Sequence, residues 1–402
     1  LELFHGSTLA FKDLALSLMG GLVGMARERL GESRDLLVLV ATSGDTGKAA
    51  LAGFSDRPGL RVAVFYPERG VSPVQRLQMV SHAAGNAFVA GIHGDFDQAQ
   101  GGVKEIFSSA QTASELGNRG FALTSANSIN VARLLPQIVY YVKAWRDLRD
   151  AGGLGSGGTM DVAVPTGNFG NILAAWYAKR MGLPIGRLIC ASNRNHVLAD
   201  FFATGRYDRN RSLHQTASPS MDILVSSNLE RLVFAASGED PHRTAELMLS
   251  LSRSGSFSLR GSERAFLGEF VADWADDEEA GSEIARVFSE SGYLIDPHSA
   301  VAAAVLGKIR RREGETRPTV LASTASPFKF PGFVARAVGL GPASATGTEA
   351  ELDLADRLAE HAGLELPAAV SRLRGASVLH GSVVEPDQMK AALLGFIDGG
   401  RA

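Results

Sequence analysis

Along this chain, short apolar runs alternate with stretches whose apolar residues recur every three or four positions. That is the pattern of strands alternating with helices. Residues 1–4 (LELF) read as strand, 5–8 as a polar turn, and 9 to about 30 as helix. An apolar strand follows over 36–41, then a polar loop over 42–47 and a helix from Lys48. Residues 61–67 and 86–92 read as further strands, with a helix over 72–84 between them. Residues 128–150 predict one long helix, with Leu134, Ile138 and Val142 at helical spacing and Pro136 set to kink it.

Residues 151–159 (AGGLGSGGT) are the strongest linker signal. Beyond them come a strand over 161–165, a loop over 166–170 and a helix over 171–182. Residues 239–290 lose the alternation and read as mainly helical, and 318–323 restore a strand. The acidic stretch from Thr346 onward reads as a peripheral extension. This order predicts an α/β fold with a largely parallel sheet.

Composition narrows the function. A net charge of −3 with no dense basic stretch gives no reason to expect nucleic acid. No apolar run is long enough to span a bilayer, so no membrane partner is expected. A single cysteine, Cys190 in an apolar stretch, excludes an internal disulfide and fits a cytoplasmic setting. Scattered histidines with no H-E-x-x-H or Cys/His cluster argue against zinc, and the absence of G-x-S-x-G argues against an α/β-hydrolase. The 45 glycines are the unusual feature, several of them in strand-to-helix turns where backbone N–H groups can approach a ligand.

Five stretches carry candidate chemistry. In Thr8-Leu9-Ala10-Phe11-Lys12-Asp13 a lysine opens a helix, where the positive helix end and apolar packing favour a neutral amine suited to Schiff-base formation. A surface lysine paired with an acid is the plainer alternative. The strand-to-helix loop Thr166-Gly167-Asn168-Phe169-Gly170-Asn171 points N–H groups at one anion, or is an ordinary tight turn. The loop Thr42-Ser43-Gly44-Asp45-Thr46-Gly47 suits a carboxylate or phosphate, or simply caps a helix. Asn127, Ser128, Asn130 and Arg133 open the long helix, with a guanidinium suited to forked phosphate contact; a cap plus a solvated arginine would look the same. Ser323 and Thr324 end a strand where an α/β sheet places ligands, or merely terminate it.

In this order, the stretches resemble the threonine synthase family, in its longer microbial and fungal branch. The matching segments are LELFHGSTLAFKD, ATSGDTG, SPVQ, NSINVARLLPQ, PTGNFGN, PSMDILVSSNLERL, GYLIDPHSAVA and TASPFKF, covering most of the chain to about Gly332. The resemblance implies the tryptophan-synthase-β-like fold (fold type II), with pyridoxal 5'-phosphate (PLP) between two α/β domains. It implies a Schiff-base lysine segment over 1–35, a smaller substrate-side domain over 36–150, a larger PLP-phosphate domain over 151–340 and an extension over 341–402.

It further implies that Lys12 carries the cofactor and that Gly167, Asn168, Phe169, Gly170 and Asn171 hold its phosphate. Thr324 would face the pyridine nitrogen. Ser43, Gly44, Asp45 and Thr46 would line the substrate and the cofactor edge, and Asn127, Ser128, Asn130 and Arg133 would meet the substrate phosphate. The implied reaction converts O-phosphohomoserine to threonine and phosphate in a monomer or homodimer. A related phospho-lyase or dehydratase, a non-catalytic PLP-binding homologue and a truncated fragment are the alternatives. The sequence departs from the family in starting at the LELFHG stretch, without the family's N-terminal domain. It also has Ser7 where many relatives have proline and Ser326 where many have histidine.

Overall fold

The computed structural model describes residues 1–399 apart from 129, 155–157, 315–316 and 342–346, so part of the glycine-serine joint lies outside the described residues. The strands are β1 (Asp35–Ala41), β2 (Leu60–Pro67), β3 (Ala87–Ile92), β4 (Phe121–Ser125), β5 (Met160–Pro165) and β6 (Ile185–Ser192). They continue with β7 (Arg206–Asp208), β8 (Ser256–Ser258), β9 (Phe270–Trp274), β10 (Thr319–Leu321) and β11 (Val383–Val384). The helices that matter most here are α1 (Lys12–Arg29), α2 (Asp45–Phe54), α3 (Pro73–Val80), α4 (Phe96–Ser108), α5 (Ala110–Asn118), α6 (Val131–Asp150) and α7 (Gly170–Arg180).

The chain forms two compact units. The lysine-bearing unit comprises Phe4–Arg133, Phe328–Ala335 and Gly341–Ala402. Its sheet is ordered β11-β3-β2-β1-β4, all parallel. Both faces are covered, so β1 and β2 read as nearly unbroken apolar runs. Leu37, Leu39, Phe65 and Phe88 point into one core, which Met389, Leu393 and Ile397 complete. The segment that reads from sequence as a peripheral extension therefore supplies an edge strand and part of a hydrophobic core.

The second unit comprises Leu1–Leu3, Leu134–Pro327 and Arg336–Leu340. Its sheet is ordered β10-β5-β6-β9, again parallel, and β7 and β8 form a separate antiparallel pair. The stretch 239–290, expected to be mainly helical, contributes β9. Only the first residue of β9 is fully buried, so the strand lacks the apolar run that would announce it. Residues 1–4 make a single parallel bridge, Glu2 to Ser323, in place of a regular strand.

Helix α6 also differs from its periodicity. Leu134 is buried, but Val131, Leu135, Val139 and Val142 are exposed, while Arg133, Gln137, Tyr140 and Tyr141 turn inward. A helix that buries polar side chains must give each of them a partner or a ligand.

Helices α1 and α2 pack unusually closely. A Cβ on Gly20 would lie 2.0 Å from the Gly53 carbonyl oxygen, and one on Gly53 would lie 2.5 Å from the Leu16 carbonyl oxygen. Eight residues before Gly20 stands Lys12, and eight before Gly53 stands Asp45; their side chains meet at 3.2 Å. The two helices thus run parallel and in register for about 12 Å. Replacing Gly20 with alanine should wedge them apart and cost about 2 kcal/mol. Gly24, with open space around its Cα, should gain up to about 1 kcal/mol on the same change. Urea-denaturation midpoints of the two variants should therefore move in opposite directions.

Candidate functional site

In an open parallel sheet, ligands gather beyond the strand C-termini where the order of connection reverses. In the lysine-bearing unit that point lies between β1 and β4. The loop after β1 holds Ser43, Gly44, Asp45 and Thr46, and the loop after β4 holds Asn127, Ser128 and Asn130. The Asn127 amide donates to the Ala41 carbonyl at 3.3 Å, tying the second loop to the end of β1.

Lys12 is the first residue of α1 and only 9% exposed. The turn before it is wound around Asp13, whose carboxylate accepts from the Thr8 N–H at 2.8 Å and from the Thr8 hydroxyl. Leu9 adopts φ 58°, a left-handed conformation that a branched side chain rarely tolerates. The Lys12 ammonium donates to Asp45 Oδ2 at 3.2 Å and lies over the Phe11 ring at 5.2 Å. Burial lowers its pKa first of all; Arg133 and Lys329 push the same way, and Asp45 opposes them.

Asp45 has further partners that the sequence pattern did not supply. Gln75 Nε2 donates to Asp45 Oδ1 at 2.7 Å, and the wholly buried Lys329 ammonium approaches the same oxygen at 2.5 Å. Ser72 and Gln75 form a capping box at the start of α3, which fixes the Gln75 amide with its NH2 toward Asp45. That S-x-x-Q spacing is the sequence signal through which Gln75 was legible. Thr42 accepts from the N–H groups of Gly44 and Gly47 at 2.9 Å each, capping the start of α2. Gly44 has φ 131°, and a Cβ there would lie 2.6 Å from the Gln75 side chain.

At the start of α6, Asn130 does cap: its Oδ1 accepts from the Ala132 N–H at 3.0 Å. Arg133 is not solvated. It is 5% exposed and donates to the Ala126 carbonyl at 2.9 Å; burial pulls its pKa down to about 10, still a cation at neutral pH. Ser43, Thr46 and Ser128 are half-buried in the two loops.

In the second unit the reversal lies between β5 and β10. After β5 comes the loop of Gly167, Asn168, Phe169, Gly170 and Asn171; after β10 comes Thr324, 6% exposed. Phe169 is the residue before α7 and takes φ 62°, its ring buried against Phe202 and Phe270. Segment 226–228 braces the loop. Ser226 Oγ donates to the Gly167 carbonyl at 2.8 Å, Ser227 Oγ to Asn168 Oδ1 at 3.1 Å, and Asn228 Nδ2 to the Asn168 carbonyl at 3.0 Å. These three had no role in the sequence reading, although they sit inside its most specific segment.

A second buried group lies at the end of β10. Asp296 caps the helix Pro297–Glu313 and pairs with His298 Nδ1 at 2.6 Å, and Ser299 Oγ and Ser323 Oγ are 2.9 Å apart.

The family of pyridoxal-phosphate dependent enzymes matches residues 1–324. Threonine synthase from Pseudomonas aeruginosa is 39% identical over 389 residues, covering 96% of this chain and 78% of that protein. Threonine synthase-like 1 from Homo sapiens is 45% identical over 341 residues, 82% of this chain. The chain spans less than half of that human protein, the match covering 45% of its length. The crystal structure of PLP-bound threonine synthase from Brucella melitensis superposes with a TM-score of 0.82 at 37% identity, over 100% of this chain and 78% of that one.

The residues present fit a phosphorylated cofactor. Asn171 Oδ1 accepts from Tyr140 at 2.9 Å and from Tyr141, while its buried Nδ2 has no partner among the described residues. A Cβ on Gly167 would stand 2.7 Å from the Ser220 carbonyl oxygen, so the backbone is held closer than any other residue allows. A donor without a partner among the described residues, a pinched glycine and the N-terminal N–H groups of α7 are groups that suit an anion. By sequence, by its two parallel-sheet units and by its relatives, the chain belongs to the fold type II pyridoxal-phosphate dependent enzymes, among the relatives of threonine synthase.

Proposed function

We propose that this chain is a threonine synthase, converting O-phospho-L-homoserine and water to L-threonine and phosphate. The supporting observation is the Lys12 amine, buried at a helix start and set among Asp45, Lys329 and Arg133. The near full-length similarity to the Pseudomonas threonine synthase points the same way.

In this reading Lys12 is the amine that carries the cofactor, the loop 167–171 seats the cofactor phosphate, and Thr324 meets the pyridine nitrogen. PLP, when bound, supplies an electron sink for charge developing on the substrate carbons. A hydroxyl at Thr324 holds the ring nitrogen without enforcing a full positive charge on it. Lys12 moves protons at Cα and then near Cβ, work that needs an amine whose pKa lies near the working pH. Its burial and the neighbouring cations lower that pKa. Arg133, with Asn127, Ser128 and Asn130, receives the phosphate that leaves Cγ. Ser43, Gly44, Asp45 and Thr46 border the substrate.

A second reading is favoured by the 45% identity to a protein named only as threonine synthase-like. A related phospho-lyase would release phosphate, ammonia and a 2-oxo acid from the same substrate. Incubation with PLP and O-phosphohomoserine, followed by amino-acid and 2-oxo-acid analysis, separates the two. Threonine with equimolar phosphate is expected; 2-oxobutyrate as the only carbon product ends the first reading.

Lys12→Ala should lower turnover by roughly a thousandfold or more, and borohydride reduction should no longer fix PLP to the peptide that contains position 12. Arg133→Gln should lower kcat/KM for O-phosphohomoserine about 10- to 100-fold, the value of a charge-assisted hydrogen bond of about 1.5–3 kcal/mol. Steady-state kinetics on a variant that still binds PLP checks this.

A further inference from the structure

Lys329 has no part in the reaction outlined above, yet it is the most buried charged side chain near Lys12. Its exposure is 0%. Its ammonium donates to the Thr8 carbonyl at 2.8 Å, in the turn that leads into Lys12, and lies 2.5 Å from Asp45 Oδ1. Its own carbonyl accepts from Ser72 Oγ at 3.1 Å, at the capping box that orients Gln75. Lys12 reaches the other oxygen of the same carboxylate, at the longer distance of 3.2 Å.

One carboxylate therefore faces two ammonium groups, and the shorter contact belongs to the lysine that is not at the helix start. We propose that Lys329 is a positioning residue that occupies Asp45 and thereby keeps Lys12 available as a neutral amine. The inference rests on the reading of Lys12 as the cofactor-bearing amine.

The charges facing Lys12 are Asp45 from α2, Lys329 from the segment after β10 and Arg133 from α6. Asp13, its neighbour on α1, is taken up by Thr8. Lys48, one turn beyond Asp45, interacts with Asp13 and Lys329, and burial lowers its pKa to about 8. Deleting the Lys329 charge removes one of the two ammonium groups that share the Asp45 carboxylate. It also removes a repulsion. Both changes favour protonated Lys12, so its titration must move up.

The test uses the full chain stripped of PLP. Lys12 reactivity toward acetic anhydride is followed from pH 6 to 11 by peptide mass spectrometry in the wild type and in Lys329→Gln, Lys329→Met and Lys329→Arg. Glutamine can still donate to Thr8 and Asp45, so it deletes the charge while keeping the hydrogen bonds. The Gln and Met variants should shift the Lys12 midpoint upward by about one pH unit, a tenfold loss of neutral amine near pH 7. Arginine should leave it within a few tenths of a unit.

An unchanged or lowered midpoint in Gln or Met overturns the proposal. So does a Gln variant that fails to fold beside an Arg variant that folds, because the ammonium would then be holding the chain together. Borohydride reduction with PLP bound separates this from the underlying reading. Label on Lys12 with no midpoint shift sinks only the role of Lys329, whereas label on Lys329 or elsewhere sinks the reading of Lys12.

Discussion

The lysine-bearing unit is organised around one buried carboxylate. Asp45, 3% exposed, accepts from Lys12, Lys329 and Gln75 at once. A buried carboxylate is costly unless its lone pairs are filled, and breaking such a cluster by removing one partner is far more destabilising than any surface ion pair is stabilising. The three partners come from α1, from α3 and from a segment late in the chain. Their side chains converge only when the unit is folded, so the cluster records the tertiary structure as well as the chemistry.

The two sheets place their singled-out loops by the same rule. Crossover connections are right-handed, so a sheet that grows in one direction and then the other opens a crevice at the strand where it turns. In one sheet the turn falls between β1 and β4, in the other between β5 and β10. Each site carries a non-glycine residue in the left-handed region, Leu9 before α1 and Phe169 before α7. Such conformations cost of order 1–3 kcal/mol and persist where surrounding packing over-determines them. For Phe169 the packing is visible in its stacked aromatic neighbours; for Leu9 it is the turn around Asp13.

Much of this was legible in sequence because strand, polar loop and helix follow one another locally. The loops at 42–47 and 166–171 and the lysine at a helix start needed no long-range information. What was hidden depended on distant partners. Lys329 stands 321 positions from Thr8, and nothing in PFKF marks it as buried. Strand β9 is half-exposed along most of its length and carries Asp273, so its composition resembles the helices around it. The face of α6 was misread because periodicity assumes that apolar residues turn inward. Here the inward face is built of Arg133, Gln137, Tyr140 and Tyr141, and Asn171 is what the two tyrosines hold.

The parallel register of α1 and α2 has an electrostatic consequence beyond packing. Because Gly20 meets Gly53 and Lys12 meets Asp45, the two helix N-termini lie at the same level. The positive end of a helix stabilises an anion and disfavours a cation within its first turn. Asp45 is the first residue of α2 and Lys12 the first residue of α1, so each lies in a first turn that favours the negative charge of the one and opposes the positive charge of the other. Antiparallel packing of the same two helices would have set Lys12 beside a C-terminus, whose carbonyls stabilise an ammonium. The close glycine contact that fixes the parallel arrangement therefore keeps Lys12 at a helix start that disfavours its ammonium form, although neither glycine touches it.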